Sequence, residues 1–133
     1  MANKSIKDLE KKVFTHLKER GWDNLRPADL AKSIAIESGE LLELFQWENK
    51  SLEDVKNDKE KVEKIGRELA DVLTYALDIA VLLKLDTEKI IIDHLAHVEK
   101  KYPAKLMKKR VAGEPGTEAL YWKIKKEYRK KGL

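Results

Sequence analysis

Glu37 and Glu40 are three residues apart, and so are Glu68 and Asp71, so each pair shares one face if its segment is helical. At about 100° per residue, Glu37 falls inside an apolar arc made by Leu30, Ala31, Ile34, Leu41, Leu42, Leu44 and Phe45. Glu40 is flanked by Leu44 on one side and by Ile36 and Trp47 on the other. Glu68 and Asp71 begin a segment that is apolar on almost every side, through Leu73, Leu77, Ile79 and Leu82, the pattern expected of a central, buried helix. Acids on core-facing sides need a counter-charge, because an unpaired buried carboxylate takes up a proton rather than stay ionised. The positions flanking both pairs are mostly apolar, which leaves a cation as the economical partner. Four carboxylate donors in a chain without cysteine suit a hard ion, Mg²⁺ or Mn²⁺, better than zinc. The alternative is a set of helix-edge acids paired with lysines across an interface.

The elements that must position these acids are helices. Only 6 Gly and 3 Pro interrupt 133 residues, and no stretch alternates like a strand. The spacing predicts a helix from Ser5 to Arg20 closed by Gly21, and a second from Pro27, a proline suited to a first turn, to about Trp47. Ser51, with Asp54 three residues on, starts a short helix. A long helix should follow from about Lys59 to Lys84. Asp86 could cap the next, which Pro103 stops near Tyr102. Residues 111–117 read as a loop and Glu118 to Lys131 as a last, basic helix. The expectation is an all-α, antiparallel bundle of about four core helices, completed by oligomerisation, with a basic C-terminal helical extension. In domain terms, residues 1–110 form the bundle and 111–133 the extension.

Composition narrows the field further. With 42% hydrophobic and 39% charged residues, the chain can bury a core, which excludes a disordered protein. The lack of cysteine excludes disulfides and a thiol nucleophile. The longest apolar run, Ile79 to Leu83, falls far short of the roughly 20 residues of a membrane span. The start MANKSIKDLEKK has no signal-peptide core, so a cytoplasmic location without a membrane partner is expected. Charge is uneven: Lys100 to Leu133 holds 12 Lys and Arg against 3 Asp and Glu, a local +9, while the other 99 residues hold 16 against 21, a local −5. A basic end on an acidic body points to an anionic partner, either a phosphorylated small molecule or nucleic acid.

Glu37-Ser-Gly-Glu40 followed by LLELFQW, and Glu68-Leu-Ala-Asp71 followed by VLTYALDIA, together resemble the E-x-x-E…E-x-x-D signature of MazG-type nucleoside triphosphate pyrophosphohydrolases. This all-α superfamily includes dCTP pyrophosphatases. The similarity runs from about Glu19 to the KKYP stretch that ends at Pro103. It implies a helical homodimer or homotetramer and Mg²⁺-dependent conversion of a (d)NTP to its monophosphate and pyrophosphate, in nucleotide-pool sanitation. By position in the motif, Glu37, Glu40, Glu68 and Asp71 would hold the metal. Trp47 and Tyr75 match positions near the base or sugar, and Lys101 and Tyr102 match positions near the phosphates. Two departures leave the base open. Leu25 stands where dCTP pyrophosphatases carry a histidine, and Val98 where an asparagine is common.

The chemistry needs a neutralised triphosphate and an activated water. Glu40 is the first candidate for taking the proton from that water, with Glu43 as a supporting acid. Lys101 shares a helix stripe with Ile90, His94 and His97, which would aim it at a neighbouring site. The two histidines, three apart, read as a polar helix edge rather than as metal ligands, and Trp22 and Trp122 as core or interface residues. The competing reading is a non-catalytic helical protein, nucleic-acid-binding or regulatory. Its basic third would grip phosphates while Tyr121, Trp122 and Tyr128 stack on bases. That reading leaves the four carboxylates unexplained, so nucleic acid is the less favoured partner. A di-iron carboxylate bundle would need a Glu-x-x-His motif that the sequence lacks.

Overall fold

The structure is a computed structural model that describes residues 4–108 and 117–133. Helix α1 (Ile6–Glu19) begins where Ser5 and Asp8 exchange caps: Asp8 N–H donates to Ser5 Oγ at 3.2 Å, and Ser5 N–H donates to the Asp8 carboxylate at 2.9 Å. It ends at Gly21, whose φ of +67° few other residues adopt. The chain turns back there, so that Trp22 N–H donates to the Leu17 carbonyl at 2.8 Å. Helix α2 (Pro27–Glu43) has Pro27 in its first turn. Helix α3 (Leu52–Asn57) is capped by Ser51, and α4 (Lys59–Leu82) by Asp58, which accepts from Lys61 N–H at 3.0 Å. Then come α5 (Thr87–Lys101), α6 (Ala104–Met107) and α7 (Thr117–Lys130). The Thr87 N–H that opens α5 donates to Glu10 Oε1 at 2.8 Å. No strand occurs among the described residues, so the fold is all-α.

One boundary differs from expectation. Helix α2 stops at Glu43, and residues 44–47 form tighter turns in which Leu44, Phe45 and Gln46 N–H each donate to the carbonyl three residues back. The Lys61 ammonium holds this turn: it donates to the Leu44 carbonyl, pairs with Glu48 at 3.1 Å and lies 5.2 Å from the Phe45 ring. That clamp comes from another helix and has no local signature.

The chain divides into two compact units, Met1–Glu88 and Lys89–Leu133. In the first, α4 packs against α2, α1 and α3. Lys61 meets Leu44, whereas Tyr75 and Asp78, further along α4, line a cavity with Leu30 and Ser33, so α2 runs antiparallel to α4. Helix α1 is antiparallel to it as well, with His16 near Asp78 and Lys7 paired to Asp86. The side chains of Leu17, Leu30 and Ala80 are buried, but α4 is not enclosed as its all-round apolarity led us to expect. Leu69 and Leu73 stand open, Leu73 at 55% exposure, as do Ile36 and Leu42 on α2. The second unit holds the rest of α5 with α6 and α7. Thr117 opens α7. Residues 111–116 of the expected loop, and the expected domain boundary at 110/111, lie outside the described residues. No helix among the described residues is long and apolar enough to cross a membrane.

Candidate functional site

Antiparallel packing of α2 on α4 sets the two acid pairs against each other. One carboxylate oxygen from each of Glu37, Glu40 and Glu68 lies within 4.8 Å of the other two. It is the one such acid or histidine group among the described residues. Glu37 and Glu68 are half-buried, and each has an Oε2 shut off from solvent with no hydrogen-bond partner. Glu40 is the solvent-facing member.

The electrostatics agree with the geometry. Hydrogen bonding to the Glu40 carboxyl, then desolvation, then the charges of Glu40, Asp71 and Glu68 raise Glu37 above the ordinary carboxylate range. Desolvation followed by the charges of Glu40 and Asp71 raises Glu68. Elsewhere the chain pairs its acids freely: Arg26 beside Asp29 at 2.8 Å and Lys61 beside Glu48 at 3.1 Å lower both carboxyls. Among the described residues no such ion pair reaches Glu37, Glu40, Glu68 or Asp71. Two buried oxygens without partners, among carboxyls that repel one another, fit a divalent cation, which would satisfy those atoms and remove the repulsion.

Asp71 is exposed and outside the group of three, yet its charge acts on both Glu37 and Glu68. It also lines a cavity of about 370 Å³ beside the cluster, together with Tyr75. Glu43 ends α2, exposed, and does not join the cluster. Trp47 sits on the turn after α2 with 87% of its surface exposed.

Lys101 and Tyr102 belong to the second unit. There the Lys101 ammonium lies 5.4 Å from the Tyr102 ring and 5.0 Å from the Tyr128 ring, and Tyr102 stacks on Tyr121 at 5.1 Å. Burial, and then Tyr121, raise the Tyr102 phenol. His94 and His97 stack at 6.2 Å, with Tyr128 edge-on to His97 at 6.0 Å.

Sequence reasoning did not assign the rest of the cavity. Its walls include Leu17, Trp22, Leu25 and Leu30, and Asp78 lies among them, 6% exposed, with Oδ1 lacking any hydrogen-bond partner. Burial raises the Asp78 carboxyl, and His16 opposes that rise in part. The available signal was the spacing of Asp71, Tyr75 and Asp78 along one edge of a helix that is otherwise apolar.

No family model matches the chain. The fold does have solved relatives: it superposes on a pyrophosphatase from Archaeoglobus fulgidus DSM 4304 with a TM-score of 0.64 and 30% sequence identity, over 77% of this chain and 96% of that one. The chain belongs to the MazG-type all-α pyrophosphohydrolase family. Other MazG-type similarity is to dCTP pyrophosphatase 1 of Rattus norvegicus, 28% identical over 105 residues, and of Homo sapiens, 27% identical over the same length. These alignments cover 77% of this chain but 61% of those proteins, so the chain spans less than two thirds of the curated MazG-type relatives it matches.

Proposed function

We propose that the chain is a divalent-metal-dependent pyrophosphohydrolase that cleaves a nucleoside triphosphate between its α and β phosphates, releasing a monophosphate and pyrophosphate. The observation that carries this reading is the Glu37, Glu40 and Glu68 cluster, with two buried oxygens that have no hydrogen-bond partner among the described residues. The similarity to a pyrophosphatase and to dCTP pyrophosphatases supports the same reaction class.

Glu37, Glu40, Glu68 and Asp71 would hold Mg²⁺, with Mn²⁺ as a substitute. When bound, the ion supplies positive charge against the triphosphate and a water of lowered pKa. Glu37 and Glu68, held by their helices, fix the position of the site. Glu40, which faces solvent, would take the proton as the water oxygen bonds to the α-phosphorus. The bond from that phosphorus to the bridging oxygen breaks, and pyrophosphate leaves. Glu43, a residue further along the same helix, is the reserve for this proton. Tyr75, in the cavity beside Asp71, and the open ring of Trp47 offer surfaces for the base or sugar, and Lys101 with Tyr102 a grip on phosphate.

The exposed leucines and isoleucines of α2 and α4 favour a homodimer or homotetramer in which a second copy covers them. Removal of unwanted nucleotides from the cytoplasmic pool is the role we infer. The nucleic-acid reading is less favoured because it leaves the acidic cluster of Glu37, Glu40 and Glu68 without a task. Release of pyrophosphate from a panel of dNTPs and NTPs, with Mg²⁺ and with EDTA, tests the proposal. Mg²⁺-dependent release supports it. Inactivity across the panel, with salt-dependent binding to DNA or RNA, contradicts it.

A further inference from the structure

The cavity beside the acidic cluster contains a group that the proposed hydrolysis does not use. Asp78 is enclosed, its Oδ1 has no partner, and a buried acceptor without a donor is costly to keep. The cavity it lines, about 370 Å³, is of a size that holds a small molecule. The apolar and aromatic walls, Leu17, Trp22, Leu25 and Leu30, suit the faces of a flat ring. Asp71, at the acidic cluster, lines the same cavity seven residues away, which on an α-helix is about 10 Å. A nucleotide whose phosphates sit at the cluster would thus bring its base towards Asp78.

Resting on the pyrophosphohydrolase reading, we propose that Asp78 is a specificity residue: its Oδ1 accepts a hydrogen bond from the ring amino group of the substrate base, N4 of cytosine or N6 of adenine. A base with a carbonyl at that position would set oxygen against oxygen and leave the acceptor unpaired. The preference belongs to the ionised, acceptor-only carboxylate; a neutral carboxyl would donate to a ring carbonyl as well as accept from an amino group, and would not discriminate. Guanine, held in the same pose, would set its C6 carbonyl against Oδ1 and meet the same repulsion.

The test compares dCTP with dUTP and dATP with dITP, pairs that differ only in amino against oxo at one ring carbon, on the full chain with Mg²⁺. In whichever pair is hydrolysed, kcat/KM should favour the amino member by about tenfold or more. Asp78→Asn places a donor amide at the contact and should shrink that ratio about tenfold or invert it, while Asp78→Ser should abolish the preference. A ratio unchanged in both variants, or an equal loss on both members, assigns Asp78 a structural part and overturns the inference. Equal treatment of the two members by the unmodified chain overturns it without any variant, and so does a preference for dGTP. Hydrolysis of dTTP but of none of these also overturns it; if no dNTP or NTP is hydrolysed, the pyrophosphohydrolase reading fails, and calorimetry with dCMP against dUMP and dAMP against dIMP decides the Asp78 contact separately. Tighter binding of the amino member sustains the contact; equal binding or none overturns it.

Discussion

Glu37 on α2 and Glu68 on α4 each keep an Oε2 buried and without a hydrogen-bond partner, in one cluster completed by the solvent-facing Glu40. Two helices have been packed so that like charges converge, and the rest of the molecule shows the cheaper alternative. Asp29 and Glu48 take Arg26 and Lys61 as partners, and their carboxyls are lowered rather than raised. The acidic cluster is therefore electrostatically unfavourable by itself, and a hard cation would relieve it.

That strain gives a pH dependence with a definite sign. The carboxyls of Glu37 and Glu68 are raised in the folded state. The folded chain therefore binds more protons than the unfolded chain between the two sets of pKa values. Their contribution is most favourable below the unfolded value, near pH 4.5, and is lost as pH rises through the raised folded values. The Tm of EDTA-treated protein should therefore gain from mild acid as far as these two groups are concerned. Mg²⁺ should raise Tm more at pH 7 than at pH 5, which thermal melts at both pH values will check.

Replacing Glu68 by Gln removes one of the repelling charges. Metal-free Glu68→Gln should melt no lower than the unmodified chain at pH 7 and should lose the Mg²⁺-induced rise in Tm. Turnover should disappear with it, while the helical circular dichroism stays intact.

Glu40→Gln removes the candidate base and weakens a metal ligand at once. Loss of the base should lower kcat by about 10²- to 10⁴-fold, the usual span for a positioned general base. Glu43→Gln, by contrast, should leave most of the activity, because Glu43 lies outside the cluster. Steady-state kinetics on the two variants would detect a reversal of these roles.

Much of this fold was legible in the sequence. Ser5, Gly21, Pro27 and Ser51 punctuate the helices where local chemistry demands it, through a cap, a left-handed residue or a first-turn proline. The spacing of Glu37 with Glu40 and of Glu68 with Asp71 marked the faces that meet. What could not be read depends on contacts between distant segments. The end of α2 at Glu43 is held by Lys61 from α4, and the cavity joins Leu17, Trp22 and Leu30 to Asp78 across three helices and a connection. The apolar surface of α4 looked fully buried because periodicity reports hydrophobicity, not what covers it. Within one chain Leu73 remains open.

The core has one position where a simple truncation is informative. Leu17 is 1% exposed and also lines the cavity. Leu17→Ala should cost about 2–5 kcal/mol of stability through lost burial and the space left behind. Urea denaturation will measure it, with the midpoint moving and the slope unchanged.

If a second copy covers α4, the chain should elute with a mass that is a multiple of 15.4 kDa. Leu73→Glu, which places a charge on that surface, should then shift the population to monomer in light scattering. A monomeric unmodified chain would remove the oligomer from the proposal.

The most direct measurement is pyrophosphate release from the dNTP and NTP panel by the unmodified chain and by Glu68→Gln, each with Mg²⁺ and with EDTA. Release of monophosphate and pyrophosphate in equal amounts, only with Mg²⁺ and only from the unmodified chain, is the predicted result. Activity that persists in EDTA or in Glu68→Gln, or inactivity on every triphosphate with Mg²⁺ present, would contradict it.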